Sequence, residues 1–316
     1  MLRISELKKL NNLLWSLANK LSDNVENYVD IAYQIKNVNL KIEYKDLILK
    51  LLELDNNLGI ITLNANLFRK NFQELYEQID NEIDQISKSY LNKPNMLNGE
   101  PYLQIKDYKT ELRYRTDITN YREELDYKIS SYTSWKYPAL HFGCKDGQLT
   151  RNLIAADPLY ITDFQSEYLT TTKKQFNPLY QNRLCIYKLD HTSIDFNQLP
   201  QHQFAFILGW DTLEHFSYDY LKNCLEQLKQ LLRPGGVIMF NYNNCEKISA
   251  IEHFEWGVRP WMTPKLIESL VNELEFEIIN HVNKENDLVD WIELKSPGTL
   301  NTVKSHQVLG EFCNIA

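Results

Sequence analysis

The sequence predicts an α/β fold: a doubly wound, mostly parallel sheet preceded by an α-helical domain. Three observations carry that expectation. From residue 138 onward, short apolar runs alternate with stretches of helical spacing, which places helices on both faces of a parallel sheet. Before residue 92, apolar residues recur at three- and four-residue intervals without a strand signal. Between them, Asn-Lys-Pro-Asn-Met-Leu-Asn-Gly-Glu-Pro (residues 92–101) has the composition of a linker. The expected organisation is a helical domain over 1–91, a linker and connecting segment over 92–116, and an α/β domain over 117–316.

The N-terminal helices follow from spacing. Ile4, Leu7, Leu14, Ala18, Leu21 and Val25 mark one amphipathic face that runs on to Ile35, with Asn11 interrupting it. Residues 41–54 and 63–91 repeat the pattern, with Gly59 between them. Such helices serve packing or self-association, and a core Asn favours the second by fixing register. Substrate capture is the other reading. Residues 102–137 are rich in Tyr and Arg, including Arg113, Arg115 and Arg122. Phosphate or base stacking is open to them, but interleaved acids favour a solvated helix on the sheet edge.

The α/β domain opens with residues 138–164. Ala139-Leu140-His141-Phe142 reads as an inner strand, Gly143 and Gly147 bracket a loop, and helical spacing resumes at Leu149. A second strand, Leu159-Tyr160-Ile161-Thr162, delivers Asp163 twenty residues after Gly143, the spacing that sets an acid on a ribose diol. Further strands are expected over 184–189, ending at Asp190, then 204–208 and 236–240, with a helix over 221–232. Another helix over 264–274 precedes strands 275–281 and 288–294, which form an antiparallel hairpin whose last strand enters the sheet. The result is a Rossmann-like, seven-stranded, mostly parallel sheet.

Composition limits the function classes. Of 316 residues, 43% are hydrophobic and 24% charged, which suits a globular protein with a large core. No apolar run approaches the roughly 20 residues of a membrane span, so no membrane partner is expected. Five scattered cysteines without a C-x-x-C pair point to a reducing, cytoplasmic setting. The net charge of −8 opposes broad nucleic-acid binding. Residues 1–135 are near balance with 18 basic and 20 acidic side chains, leaving 16 against 22 in the α/β half.

Three segments together resemble class I S-adenosylmethionine-dependent methyltransferases over roughly residues 117–295. They are His-Phe-Gly-Cys-Lys-Asp-Gly (141–147), Trp-Asp-Thr-Leu-Glu-His (210–215) and Leu-Leu-Arg-Pro-Gly-Gly-Val-Ile (231–238). In the last, Pro234 is expected to stop a helix, with Gly235 and Gly236 supplying positive φ for the reversal. The resemblance implies S-adenosylmethionine bound across the strand ends by Gly143, Cys144, Gly147, Asp163, Asp190 and Asp211. Asp163 would face the ribose hydroxyls and Asp190 the adenine; each also suits helix capping or a turn. The sequence departs from the family pattern at His141, where an acid is usual, and at Lys145, where a third glycine is usual.

A second constellation follows the fourth strand. Asp211, Glu214 and His215 form D-x-x-E-H, expected to share one face of a helical turn, and His253 follows in Ile-Glu-His-Phe-Glu-Trp (251–256). The set, with Asn241-Tyr242-Asn243-Asn244, resembles the small-RNA 3′-terminal 2′-O-methyltransferases. That implies Mg²⁺ or Mn²⁺ held by Asp211, Glu214, His215 and His253, with His215 or His253 as the catalytic base. The alternative is a metal-free histidine that packs or acts as a base. Trp210, Phe254, Trp256 and Trp261 wall a pocket or pack in the core.

The expected activity is O-methyl transfer to a sugar or ribose hydroxyl. Its acceptor would be a small molecule, a glycan or an RNA 3′ end, and the N-terminal helices would join subunits of a homo-oligomer. The alternative from another class is a decayed methyltransferase fold serving as a structural or interaction protein, with His141 and Lys145 as its signature.

Overall fold

A computed structural model describes residues 4–20, 61–91, 93, 96–97, 100–101, 118–190, 194–283 and 289–300. The N-terminal part contains helices α1 (Ile4–Lys20) and α2 (Ile61–Lys88). The expected helix over 41–54 and the continuation of the first beyond residue 20 lie outside the described residues. Met96–Leu97 and Glu100–Pro101 pair as a minimal antiparallel bridge within the expected linker.

The α/β part begins with α3 (Arg122–Ser131) and strand β1 (Ala139–Phe142), then β2 (Leu159–Asp163) and α4 (Ser166–Lys174). A single-turn α5 (Pro178–Gln181) leads to β3 (Leu184–Lys188) and β4 (Phe204–Leu208). Next come α6 (Tyr218–Leu231), β5 (Leu232–Asn243), α7 (Ile248–Glu255) and α8 (Pro264–Glu273). The chain then forms β6 (Glu277–Val282) and β7 (Val289–Lys295).

The seven strands lie in the order β3-β2-β1-β4-β5-β7-β6. The first five are parallel, and β7 is antiparallel to both β5 and β6. The predicted hairpin therefore does insert its last strand into the sheet. The chain builds outward from β1 to β3 and returns to β4 on the other side of β1. That reversal opens a crevice between the carboxyl ends of β1 and β4.

Burial explains these elements. The inner strands β1, β2 and β4 are buried along their whole length, whereas the edge strand β3 is half-buried. One face of the sheet packs Leu140, Phe142 and Ile238 against Leu221, Leu225 and Leu228 of α6 and Ile267 and Leu270 of α8. The other packs Phe206, Leu208 and Met239 against Leu125 and Ile129 of α3 and Leu169 of α4. The three-four spacing in α6 and α8 is what lets each helix turn a single apolar stripe inward. Thr263 caps α8 by accepting from Leu266 N at 3.3 Å, and Pro264 starts the helix where no N–H is needed.

Two expectations need correction. Thr150–Leu153 is a short 3-10 turn rather than an α-helix, because the chain must reach β2 within a dozen residues of Gly147. The helix before Pro-Gly-Gly ends at Leu231, ahead of the proline, and Gly235 but not Gly236 has positive φ. Gly236 serves close packing instead, since a Cβ there would lie 2.8 Å from the Phe204 carbonyl oxygen.

Helix α1 docks on α7. Ser5 donates from its backbone N (3.1 Å) and hydroxyl (2.6 Å) to Glu255, and Lys9 pairs with Glu252 at 2.6 Å. Ile4, Leu7 and Leu10 are buried there. The N-terminal helix thus braces the element that carries His253.

Candidate active site

The crevice between β1 and β4 holds a cavity of about 350 Å³. Its floor is the loop after β1, where Gly143 (φ 73°), Lys145 (φ 52°) and Gly147 (φ 82°) all take left-handed backbone. At Gly143 there is no room for a side chain. A Cβ there would lie 1.8 Å from Thr212 Oγ1, and that hydroxyl donates to the Gly143 carbonyl at 3.4 Å. The opposite wall is Trp210 and Asp211, beyond β4. Ile118, Arg122 and Gln148 close the outer side.

Asp163 is buried at the end of β2, where it fixes the loop. Its carboxylate accepts from Lys145 N at 2.9 Å and from Gln165 N at 3.0 Å. Lys145 replaces the usual glycine by taking left-handed φ, at a cost of about 1 kcal/mol. Its ammonium lies 5.4 Å from the centre of the Tyr168 ring, and its carbonyl accepts from Thr172 Oγ1 at 2.8 Å. His141 is buried with Nδ1 2.7 Å from Thr150 Oγ1, so it ties the strand end to the 3-10 turn. Cys144 lines the cavity, and burial raises its thiol pKa well above the ordinary value. Gly147 packs behind the loop against Thr172. Asp190 is exposed in a neighbouring groove with Gln165, Glu167 and Lys188.

The second constellation divides. Asp211 has φ 57° and faces the cavity, held by its backbone N, which donates to Asn241 Oδ1 at 2.9 Å. Leu213–His215 is a 3-10 turn, so Asp211 does not share a helical face with Glu214 and His215, as the spacing had implied. Glu214 and His215 are buried below it. Glu214 accepts from Asn241 Nδ2 at 2.9 Å and from Arg259 at 3.3 Å, with His215 Nε2 at 3.4 Å. Arg259 is wholly buried, and no motif in the sequence marks it. A single Arg within the apolar run Val258–Met262 was the available signal.

Arg259 bears on the expected metal site. The one deeply buried carboxylate of the set is already neutralised by a guanidinium. Among the described residues, no three His, Cys, Asp or Glu side chains are grouped to hold an ion. With Glu214 paired to Arg259, the cluster offers an ion fewer open carboxylate oxygens than Mg²⁺ or Mn²⁺ ordinarily take.

The surroundings of both imidazoles favour the neutral form. Burial, reinforced by Lys145 and Arg259, lowers His215 well below the usual range, and burial with Arg259 lowers His253 to about 4. Between pH 6.5 and about 4 the unfolded chain binds protons at these positions that the folded chain does not, so acidification destabilises the fold. Urea unfolding at pH 7 and pH 4.5 is expected to show a larger acid loss for the wild type than for His253→Gln. Equal losses would contradict the assignment.

Of the aromatic set, Trp210, Phe254 and Trp261 are buried, whereas Trp256 is 59% exposed and stands 5.2 Å from the His253 ring.

Residues 140–238, just under a third of the chain, match the family described as methyltransferase domain. The matched segment runs from β1 into β5. A search of the curated proteins finds no match. Among solved structures, a Clostridium acetobutylicum S-adenosylmethionine-dependent methyltransferase is 14% identical with TM-score 0.46, covering 60% of this chain and 96% of its own. The N-methyltransferase NodS of Bradyrhizobium japonicum is also 14% identical, with TM-score 0.43 and coverage of 57% and 98%. The [4+2]-cyclase SpnF is 10% identical with TM-score 0.47, covering 58% and 84%. Among the described residues, no helix is long and apolar enough to cross a membrane.

Proposed function

We propose that this chain is an S-adenosylmethionine-dependent methyltransferase acting on a hydroxyl oxygen of a sugar or ribose. The carrying observation is the cavity at the β1–β4 reversal, floored by a left-handed glycine loop whose backbone a ligand can approach closely. S-adenosylmethionine supplies an electrophilic methyl group there. The loop and Asp211 orient it, while Asp163 keeps the loop in shape.

The acceptor hydroxyl must lose a proton as its oxygen takes the methyl group, the sulfonium–carbon bond breaking to release S-adenosylhomocysteine. His215 or His253, which burial keeps in the neutral form, would receive it. Trp256 offers an exposed aromatic face beside His253 on which a sugar ring can lie. Acid excess in the α/β half suits a small molecule, a glycan or an RNA 3′ end better than a long nucleic acid. The metal-free reaction is favoured over one assisted by Mg²⁺ or Mn²⁺, because Arg259 already balances Glu214.

The test is transfer of a labelled methyl group to ribonucleosides, oligosaccharides and short RNAs, with Mg²⁺ or with EDTA. Label should appear as a stable ether on one acceptor class, equally under both conditions. His215→Gln should lower the rate about a hundredfold or more. Label on nitrogen or carbon, or cofactor binding without transfer to any acceptor, would overturn the proposal.

A further inference from the structure

Helix α1 follows α7 along its whole length, running in the opposite sense. Lys8 Nζ donates to the carbonyls of Cys245 (3.1 Å) and Glu246 (3.4 Å), in the loop that enters α7. Lys9 pairs with Glu252 at 2.6 Å, and Ser5 donates from its N and Oγ to Glu255, the last residue of α7. The two glutamates are three residues apart and Ser5 and Lys9 four, so each pair shares one face of its helix. His253 and Trp256 repeat the three-residue spacing one position further on, with their rings 5.2 Å apart. Holding the glutamates therefore fixes the rotation of α7, and with it the direction of the His253–Trp256 face.

Left to itself, α7 would not hold. It has eight residues and no side-chain cap at its start, fewer than the roughly 12 an isolated helix needs. Phe254 packs on Trp261 (5.5 Å) and on Tyr90, just past α2 (4.7 Å), so both N-terminal helices lead to this element. The polar contacts differ in weight. Lys9 and Glu252 are partly exposed and their pair contributes little, whereas Ser5 is buried where water cannot replace its bonds to Glu255. No residue of α1 or α7 is among those lining the β1–β4 cavity. We propose that α1 is a positioning strap for the acceptor side of the site: Ser5, through Glu255, aims His253 and Trp256 and leaves the cofactor cavity untouched. The roles of His253 and Trp256 rest on the methyltransferase reading; the strap rests on the contacts themselves.

The experiment is fluorine NMR of the full chain labelled with 5-fluorotryptophan, together with calorimetric titration of S-adenosylhomocysteine. Trp256 reports the face beside His253, and Trp210, in the cavity wall, reports the cofactor side; Trp256→Phe and Trp210→Phe assign the two signals. Ser5→Asp sets a carboxylate against Glu255, Ser5→Thr keeps the hydroxyl, and Ser5→Asp with Glu255→Gln removes the repulsion. Expected in Ser5→Asp is a shifted or broadened Trp256 signal beside an unmoved Trp210 signal, with ligand affinity within about twofold of wild type. Ser5→Thr and the double variant should return Trp256 to its wild-type signal. With any acceptor the wild type methylates, kcat should fall about tenfold or more in Ser5→Asp and recover in Ser5→Thr. Should Ser5→Asp not fold, Ser5→Ala gives the same readings by removing the hydroxyl alone. An unchanged Trp256 signal would overturn the strap, and so would Trp210 or ligand affinity changing along with Trp256. Wild-type protein that does not bind S-adenosylhomocysteine would overturn the cofactor reading, with the Trp256 signal still deciding the strap.

Discussion

Replacing Arg259 by methionine is expected to destabilise the fold by about 3–5 kcal/mol, because it leaves the buried Glu214 carboxylate without its counter-charge. Both side chains have no exposed surface, so water cannot take over from the guanidinium. The Asn241 amide would remain as a partner of Glu214, but an amide dipole does not neutralise a buried charge. Adding Glu214→Gln removes the stranded charge and should recover most of the loss. Urea unfolding of the wild type, both single variants and the double variant would measure the coupling. If the double variant is as unstable as the sum of the singles, the pair is not coupled and the cluster has been misread.

Gly143→Ala is the second large effect. Two costs combine: left-handed backbone for a residue with a Cβ, and a Cβ driven into the Thr212 side chain. Together they are expected to cost about 2–5 kcal/mol. Because Thr212 links the β1 loop to the β4 loop, any shift that relieves the clash also parts the two walls of the cavity. Loss of S-adenosylhomocysteine binding should therefore exceed what the stability change alone produces. Pairing Gly143→Ala with Thr212→Gly removes the clash but not the backbone cost, and should recover only part of the stability.

Much of the fold was legible because its signals are local. Buried strands such as 204–208 read as short apolar runs, α6 and α8 as three-four stripes, and the order of these elements dictated a parallel sheet closed by a hairpin. The glycine loop was legible for the same reason. Arg259 was not, since its partner Glu214 lies 45 residues away and only the folded sheet brings them together. Asp211 was placed on a helical face because spacing assumes regular backbone, whereas one left-handed residue turns it away from Glu214. Asp163 was found by spacing. That both its oxygens accept backbone N–H groups depends on the tertiary path of the loop. Spacing thus located the residues that chemistry would use, but their partners decide what each one does.

The central claim is that the cavity between β1 and β4 takes an S-adenosyl ligand despite His141 in β1 and Lys145 in the loop after it. Titration calorimetry of the wild-type protein with S-adenosylhomocysteine tests it most directly. Saturable binding at one site per chain, lost in Gly143→Ala, is the predicted result. Absence of binding at millimolar ligand by a folded wild-type protein would contradict it, and would favour a methyltransferase fold kept for a structural or interaction role.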